Sequence, residues 1–142
     1  MAQYGTKHGH APGVLRVMLD NADVEVVGVY EPDRSRRETL LSSGSPPWAQ
    51  VRWLDDKSEF LDDPTVLAVS SEGLNAESLG HTEEIVAAGK HVFAEKPACV
   101  KAEDFAGLVK LADAKPLHLM LALANRTNPE TQAARKLVAN AL

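Results

Sequence analysis

Apolar residues in this chain gather in short runs, each closed by glycine, proline or acid-rich turns. Residues 24–30 (VEVVGVY) are mostly apolar and β-branched and predict a strand. Residues 65–69 (TVLAV) predict another, and HVFA at 91–94 is bracketed by Gly89 and Pro97. Shorter strands are expected at 51–54 and 117–121, and residues 1–4 read as the end of a strand. Between these runs the spacing becomes helical. Val14, Leu15, Val17, Met18 and Leu19 support a helix over 11–19, with Pro12 tolerated in its first turn. Asp33 is placed to cap a polar helix over 34–41. A helical turn is expected through Phe60 and Leu61. Leu79, Ile85, Val86 and Ala87 form a stripe over 75–88 that Gly89 stops. Helices over 103–114 and 129–142 complete the pattern. Six strands alternating with helices through short connections predict one α/β domain: a doubly wound, mostly parallel, Rossmann-like six-stranded sheet. No internal repeat or domain boundary interrupts it.

Composition narrows the function classes. The 142 residues are 44% hydrophobic and 25% charged with a net charge of −5 and no basic run, which disfavours nucleic acid and anionic membrane as partners. The single cysteine, Cys99, allows no internal disulfide and fits a reducing compartment. No apolar stretch reaches membrane-spanning length and no leader pattern is evident, so a cytoplasmic protein is expected.

Candidate chemistry lies at the predicted strand ends. Glu95 and Lys96 follow HVFA, where open α/β sheets bind ligands; a surface ion pair closing the strand is the plain alternative. The loop Gly5-Thr6-Lys7-His8-Gly9-His10 occupies the place of a phosphate-binding turn. Against the pattern G-x-G-x-x-G, Gly5 fits while Lys7 and His10 replace the later glycines, so an ordinary strand-to-helix turn is the alternative. Gly9 still permits close backbone approach. Glu31 ends the second predicted strand, 26 residues after Gly5, where an acid accepts hydrogen bonds from the adenosine ribose. A carboxylate there repels a 2′-phosphate and favours NAD, although Arg34, Arg36 and Arg37 close by leave NADP open.

The pair His8-x-His10 lacks a third ligand nearby in sequence, so no metal site is expected and the histidines are placed near a phosphate. His81, His91 and His118 are assigned to packing or capping. Cys99 is taken as inert. Asp55-Asp56 and Asp62-Asp63 are assigned as helix caps. No G-x-S-x-G elbow or G-x-x-x-x-G-K-[ST] loop supports a hydrolase or kinase.

Residues 87–97 (AAGKHVFAEKP), following a second strand that ends in Glu31, resemble the Gfo/Idh/MocA family of NAD(P)-dependent oxidoreductases. Asn125-Arg126-Thr127-Asn128-Pro129 is similar to the family's later N-x-R-x-x-P region. The likeness covers essentially the whole chain, but only the family's amino-terminal cofactor half. It implies that Lys96 lies beside the nicotinamide and the substrate hydroxyl, that Glu95 contacts cofactor or holds Lys96, and that Pro97 and Arg126 lie at the same site. The Lys96–Pro97 bond is a candidate for the cis form. Ser70-Ser71-Glu72-Gly73-Leu74-Asn75 stands where many members have a Thr-Pro-Asn-like turn, and there Ser70, Ser71, Glu72 and Asn75 are expected to face the cofactor. Glu72 adds a negative charge that departs from the family pattern.

The substrate domain of the family has no counterpart here, and the first strand is short, so a fragment clipped at both ends is expected. The resemblance implies hydride transfer between NAD and a hydroxyl-bearing carbon of a sugar, polyol or cyclitol-like small molecule, in a parent enzyme that is a homo-oligomer. A stand-alone dinucleotide-binding or regulatory module without catalysis is the alternative.

Overall fold

A computed structural model describes residues 1–141. Five parallel strands, β1 (Ala2–Tyr4), β2 (Gly28–Tyr30), β3 (Ala68–Ser71), β4 (His91–Ala94) and β5 (Leu119–Leu121), form one sheet in the order β2-β1-β3-β4-β5. Around it run α1 (Ala11–Asp20), α2 (Arg34–Ser43), α3 (Ser58–Leu61), α4 (Asn75–Ala87), α5 (Ala102–Asp113) and α6 (Pro129–Ala141). The predicted last residue of the final helix, Leu142, lies outside the described residues.

The sheet has five strands where six were expected. Residues 51–54 make a single parallel bridge, Val29 with Trp53. The Val29 N–H donates to the Arg52 carbonyl, and the Leu54 N–H donates to the Val29 carbonyl. Beyond that the chain turns at once: Glu59 Oε1 accepts the backbone N–H groups of both Asp55 and Asp56, so the ladder cannot lengthen. The second strand is shorter than its apolar pattern because its partner β1 starts only at Ala2. The first rung is the Val27 N–H donating to the Met1 carbonyl, while Val24 is engaged in a turn with Asn21. Strand β3 starts three residues later than expected and runs through Ser71, since Val66 is held in a turn by Asp63.

Two apolar layers flank the sheet. On one face Ala2, Tyr4, Val69, Val92 and Ala94 pack with Phe60, Ile85, Val86 and Leu108 from the helices. On the other, Val29 packs with Leu15 and Met18 of α1 and with Trp48. Alternation along each strand divides the residues between the layers. Helix α4 buries Ser78, Thr82, Ile85 and Val86, an i, i+4, i+7, i+8 stripe, while Ala87 faces solvent. Small hydroxyl residues thus take the amino-terminal half of the stripe, next to the strand ends.

The register fixes what meets at the carboxyl edge. Tyr4 is paired with Tyr30 and Ser71, and Ser71 with Ala94. The next residue of each strand is therefore brought into one row: Glu31, Gly5, Glu72, Glu95.

Candidate functional site

Three of those four residues are buried carboxyls, between 0 and 4% exposed. An isolated carboxylate is too costly to bury unless it is paired or neutral. The chain answers in three different ways.

Glu31 is satisfied by backbone. Its Oε2 accepts from the Thr6 N–H at 2.8 Å and the Thr6 hydroxyl at 2.7 Å, and its Oε1 accepts from the Asp33 N–H at 2.9 Å. Arg36 closes the arrangement, with Nε donating to Thr6 Oγ1 at 2.7 Å and Nη2 to the Thr6 carbonyl at 2.6 Å. The carboxylate expected to face a ribose thus anchors the loop that was expected to face the phosphates. The acid that borders open space is Asp33. It caps α2 by accepting the Arg36 N–H at 3.1 Å, and its Oδ2 lies 3.3 Å from the Lys7 ammonium. Backbone donors and Lys7 hold the Asp33 carboxyl below its ordinary range. Lys7 also reaches Glu77 Oε1 at 2.9 Å, and these acids raise its pKa. Lys7, Asp33, Ser35, Arg36, Thr39 and Leu74 line a cleft of about 420 Å³. Sequence reasoning named Lys7 for the cofactor, Arg36 beside the 2′ position and Asp33 only as a cap; Ser35, Thr39 and Leu74 were missed because their common cleft is created only when α2 and the start of α4 close around the loop.

Glu72 is satisfied by no side chain or backbone group among the described residues. Both carboxyl oxygens lack a partner among the described residues, and burial, with Glu95 adding to it, pushes the carboxyl up to about 8. It is not the exposed negative charge expected from sequence. Ser70 and Ser71 are also fully buried, with Ser71 Oγ accepting from Thr82 at 3.3 Å, because β3 is the central strand. The side chains of Ser70, Ser71 and Glu72 therefore do not line the surface as expected; Asn75, at the exposed start of α4, does.

Glu95 meets imidazoles. His10 Nδ1 lies 2.9 Å from Glu95 Oε1, and His8 Nδ1 lies 3.7 Å from Oε2, which also accepts the Lys96 N–H at 3.2 Å. The two rings stand edge to face at 4.9 Å. Burial lowers the His8 pKa, against the opposing pull of Glu95. Lys96 and Pro97 are exposed, their peptide bond is cis, and the Lys96 ammonium has no hydrogen-bond or ion-pair partner among the described residues. Arg126 is exposed in the 3-10 turn after β5, at the same edge.

The loop itself shows why its glycines differ. Gly5 has φ +85°, and a Cβ there would lie 2.9 Å from the Gly73 nitrogen. A Cβ on Gly9 would meet nothing within 4 Å. Open space at Gly9, next to an α1 start with no side-chain cap, leaves room for an anion, although the His10 and Ala11 N–H groups are already donated to His8 and Pro12 has none. The residues present thus fit a dinucleotide's phosphates.

The other residues assigned from sequence make packing and local contacts, with His81 close behind Gly73 at this edge. His91 and His118 stack at 5.1 Å, and His81 stacks on Tyr4 at 4.0 Å. Cys99 Sγ contacts the Lys101 carbonyl. Asp56 accepts the Ser58 N–H at the start of α3, Asp63 accepts the Thr65 N–H in a turn beyond that helix and so is not the expected cap, and Asp55 pairs with Arg37 at 2.7 Å.

Solved structures share this architecture at low identity. An oxidoreductase from Bacillus cereus matches with TM-score 0.78 and 20% identity, covering 99% of this chain and 39% of its own. UDP-N-acetylglucosamine 3-dehydrogenase from Acidithiobacillus ferrooxidans matches with TM-score 0.77 and 20% identity over 96% and 40%. Biliverdin reductase from Synechocystis, solved with biliverdin and NADP+, matches with TM-score 0.78 and 20% identity over 97% and 42%. The chain spans about two fifths of the length of these proteins, and at such identities they establish the fold alone. Among curated proteins none matches the sequence. The family model "Oxidoreductase family, NAD-binding Rossmann fold" matches residues 5–123, most of the chain. The chain therefore belongs to the Gfo/Idh/MocA oxidoreductase family, as its NAD(P)-binding Rossmann domain.

Proposed function

We propose that this chain is the cofactor half of an NAD-dependent oxidoreductase that oxidises or reduces a hydroxyl-bearing carbon of a sugar, polyol or cyclitol-like molecule. The observation that carries the reading is the single row at the sheet edge: the Gly5 loop, Glu31, Glu95 and an unpaired Lys96 along four adjacent strand ends. When bound, the dinucleotide supplies the hydride acceptor or donor. The start of α1 and the open side of Gly9 receive phosphate, and Asp33 with Ser35 borders the adenosine side. Lys96, exposed and unpaired, holds the substrate oxygen and helps its proton leave. The similarity to a nucleotide-sugar dehydrogenase is in keeping with a sugar, while biliverdin reductase shows that the fold is not limited to one.

The preference for NAD rests on Asp33, the acid that borders the cleft, since Glu31 is buried and spent on the loop. Lys7 and Arg36 in the same cleft favour a 2′-phosphate and NADP. Titrating the folded chain with NADH and NADPH, read by nicotinamide fluorescence, decides between them. Tighter NADH supports Asp33, tighter NADPH the basic cleft, and binding of neither removes the cofactor site from this chain. In an enzyme carrying this chain, Lys96→Met is expected to slow turnover by roughly 10²–10⁴-fold with NADH affinity unchanged, as for loss of a positioned acid–base group. Unchanged turnover sinks the role of Lys96. Dinucleotide binding without hydride transfer in the intact protein would instead favour the non-catalytic module.

A further inference from the structure

We propose that His8, His10 and Glu95 form a binding site for a borderline divalent transition-metal ion of the zinc class. One ligating atom from each residue lies within 4.8 Å of the other two. Two imidazoles and one carboxylate are a donor set that zinc accepts, and three protein ligands leave a fourth position open for an oxygen ligand. In sequence the third donor is invisible, since Glu95 is 85 positions from His10.

The geometry is close to, but wider than, a coordinated set. Ligands at about 2.0–2.1 Å from a tetrahedral ion stand about 3.4 Å apart. His10 Nδ1 is nearer than that to Glu95 Oε1, at 2.9 Å, while His8 Nδ1 lies 3.7 Å from the other oxygen, Oε2, and the one-atom-per-residue set lies within 4.8 Å. The His10 side chain is more than half exposed, so its ring has room to adjust. His8 Nδ1 accepts the His10 N–H at 3.2 Å and so carries a lone pair, the form in which imidazole ligates. That long bond is the one the ion must displace at His8 Nδ1 among the described residues.

The surroundings favour added positive charge. Glu95 is 4% exposed, and the next carboxyl in the row, Glu72, is fully buried with both oxygens unpartnered. No arginine or lysine side chain bonds to either carboxyl among the described residues, and Lys96 beside Glu95 faces solvent. An ion held here would stand between the Gly5 loop and Lys96 with its open position toward the edge where substrate oxygen is expected. The proposed site stands whether or not a dinucleotide binds.

Cobalt(II) is the probe. The chain, freed of metal by chelator and checked for folding by circular dichroism, is titrated with Co²⁺ and followed by visible d–d absorption, with no dinucleotide present. One equivalent with tetrahedral-type bands, displaced by Zn²⁺, is expected. Loss of a direct ligand should weaken binding at least as much as loss of an outer partner, so His10→Ala and Glu95→Gln should each lose roughly 100-fold. His118→Ala, on an exposed histidine far along the sheet, should leave affinity unchanged. His10 is exposed, so its variant keeps the test valid if Glu95→Gln fails to fold. A folded wild-type chain without Co²⁺ bands, or equal affinity in His10→Ala and His118→Ala, overturns the proposal. NADH titration of the same variants separates failure of the metal site from failure of the cofactor reading.

Discussion

At the scale of single residues, three glutamates in one row show how strongly surroundings decide chemistry. Glu31 is held by two backbone N–H groups and a hydroxyl, Glu95 by imidazoles, and Glu72 by no group among the described residues. Glu72 consequently keeps its proton up to about 8 in the folded chain, against 4.5 as its ordinary value. Between those limits the unfolded chain releases a proton that the folded one retains, so this residue makes stability fall as pH rises from about 4.5 to 8. The slope approaches 1.4 kcal/mol per pH unit as an upper figure. Glu72→Met should remove the slope and raise stability by about 1–3 kcal/mol at pH 8, the usual cost of an unpaired buried polar group. Urea unfolding of both proteins at pH 5 and 8 measures this. Parallel pH dependences would show that the carboxyl has found a partner.

At the scale of elements, the loop from β1 to α1 is shaped by contacts to other strands. Gly5 must be glycine because φ is +85° and the Gly73 backbone is 2.9 Å from any Cβ. Gly9 has no such constraint from the chain. Gly5→Ala should therefore cost roughly 1–3 kcal/mol for strain at a special backbone site, and Gly9→Ala should stay within about 0.5 kcal/mol. If Gly9 faces a phosphate, Gly9→Ala should weaken NADH binding while leaving thermal unfolding in place. Equal stability loss in the two variants would mean that Gly9, too, is fixed by the fold. The start of α4 shows a similar dependence. Glu77 accepts the Leu74 N–H at 3.0 Å and binds Lys7, joining a helix start to the loop across the sheet edge.

At the scale of the whole molecule, the two faces of the sheet are covered unequally. Helices α4 and α5 cover one face, while α1 covers only the β1–β2 part of the other. Phe93 and Met120 sit on that second face through the register of β4 and β5, and Met120 is 58% exposed. Leu123, Leu137 and Val138 add further exposed apolar surface toward the carboxyl end. Exposed apolar side chains of this kind favour association between copies of a chain. Met120→Lys should reduce self-association of the chain, seen by sedimentation velocity, with stability altered by no more than about 0.5 kcal/mol. Unchanged association would place the sticky surface elsewhere.

The sequence alone determined the alternation of strands and helices, because apolar periodicity and Gly, Pro and Asp punctuation act over a few residues. It also determined the family, through a compact run ending in Glu95-Lys96-Pro97, and the Asp33 cap, whose acceptor and donor are three residues apart. It overstated the sheet by one strand, since a run such as 51–54 can be apolar without having a partner long enough to pair with. Only the tertiary structure decided the chemistry of the row. Register set Glu31, Gly5, Glu72 and Glu95 side by side, and burial then left one carboxyl protonated, one satisfied by backbone and one facing two histidines. Those outcomes depend on contacts between residues 25 to 85 positions apart, where the energy of a charge is set by what surrounds it and not by its neighbours in the chain.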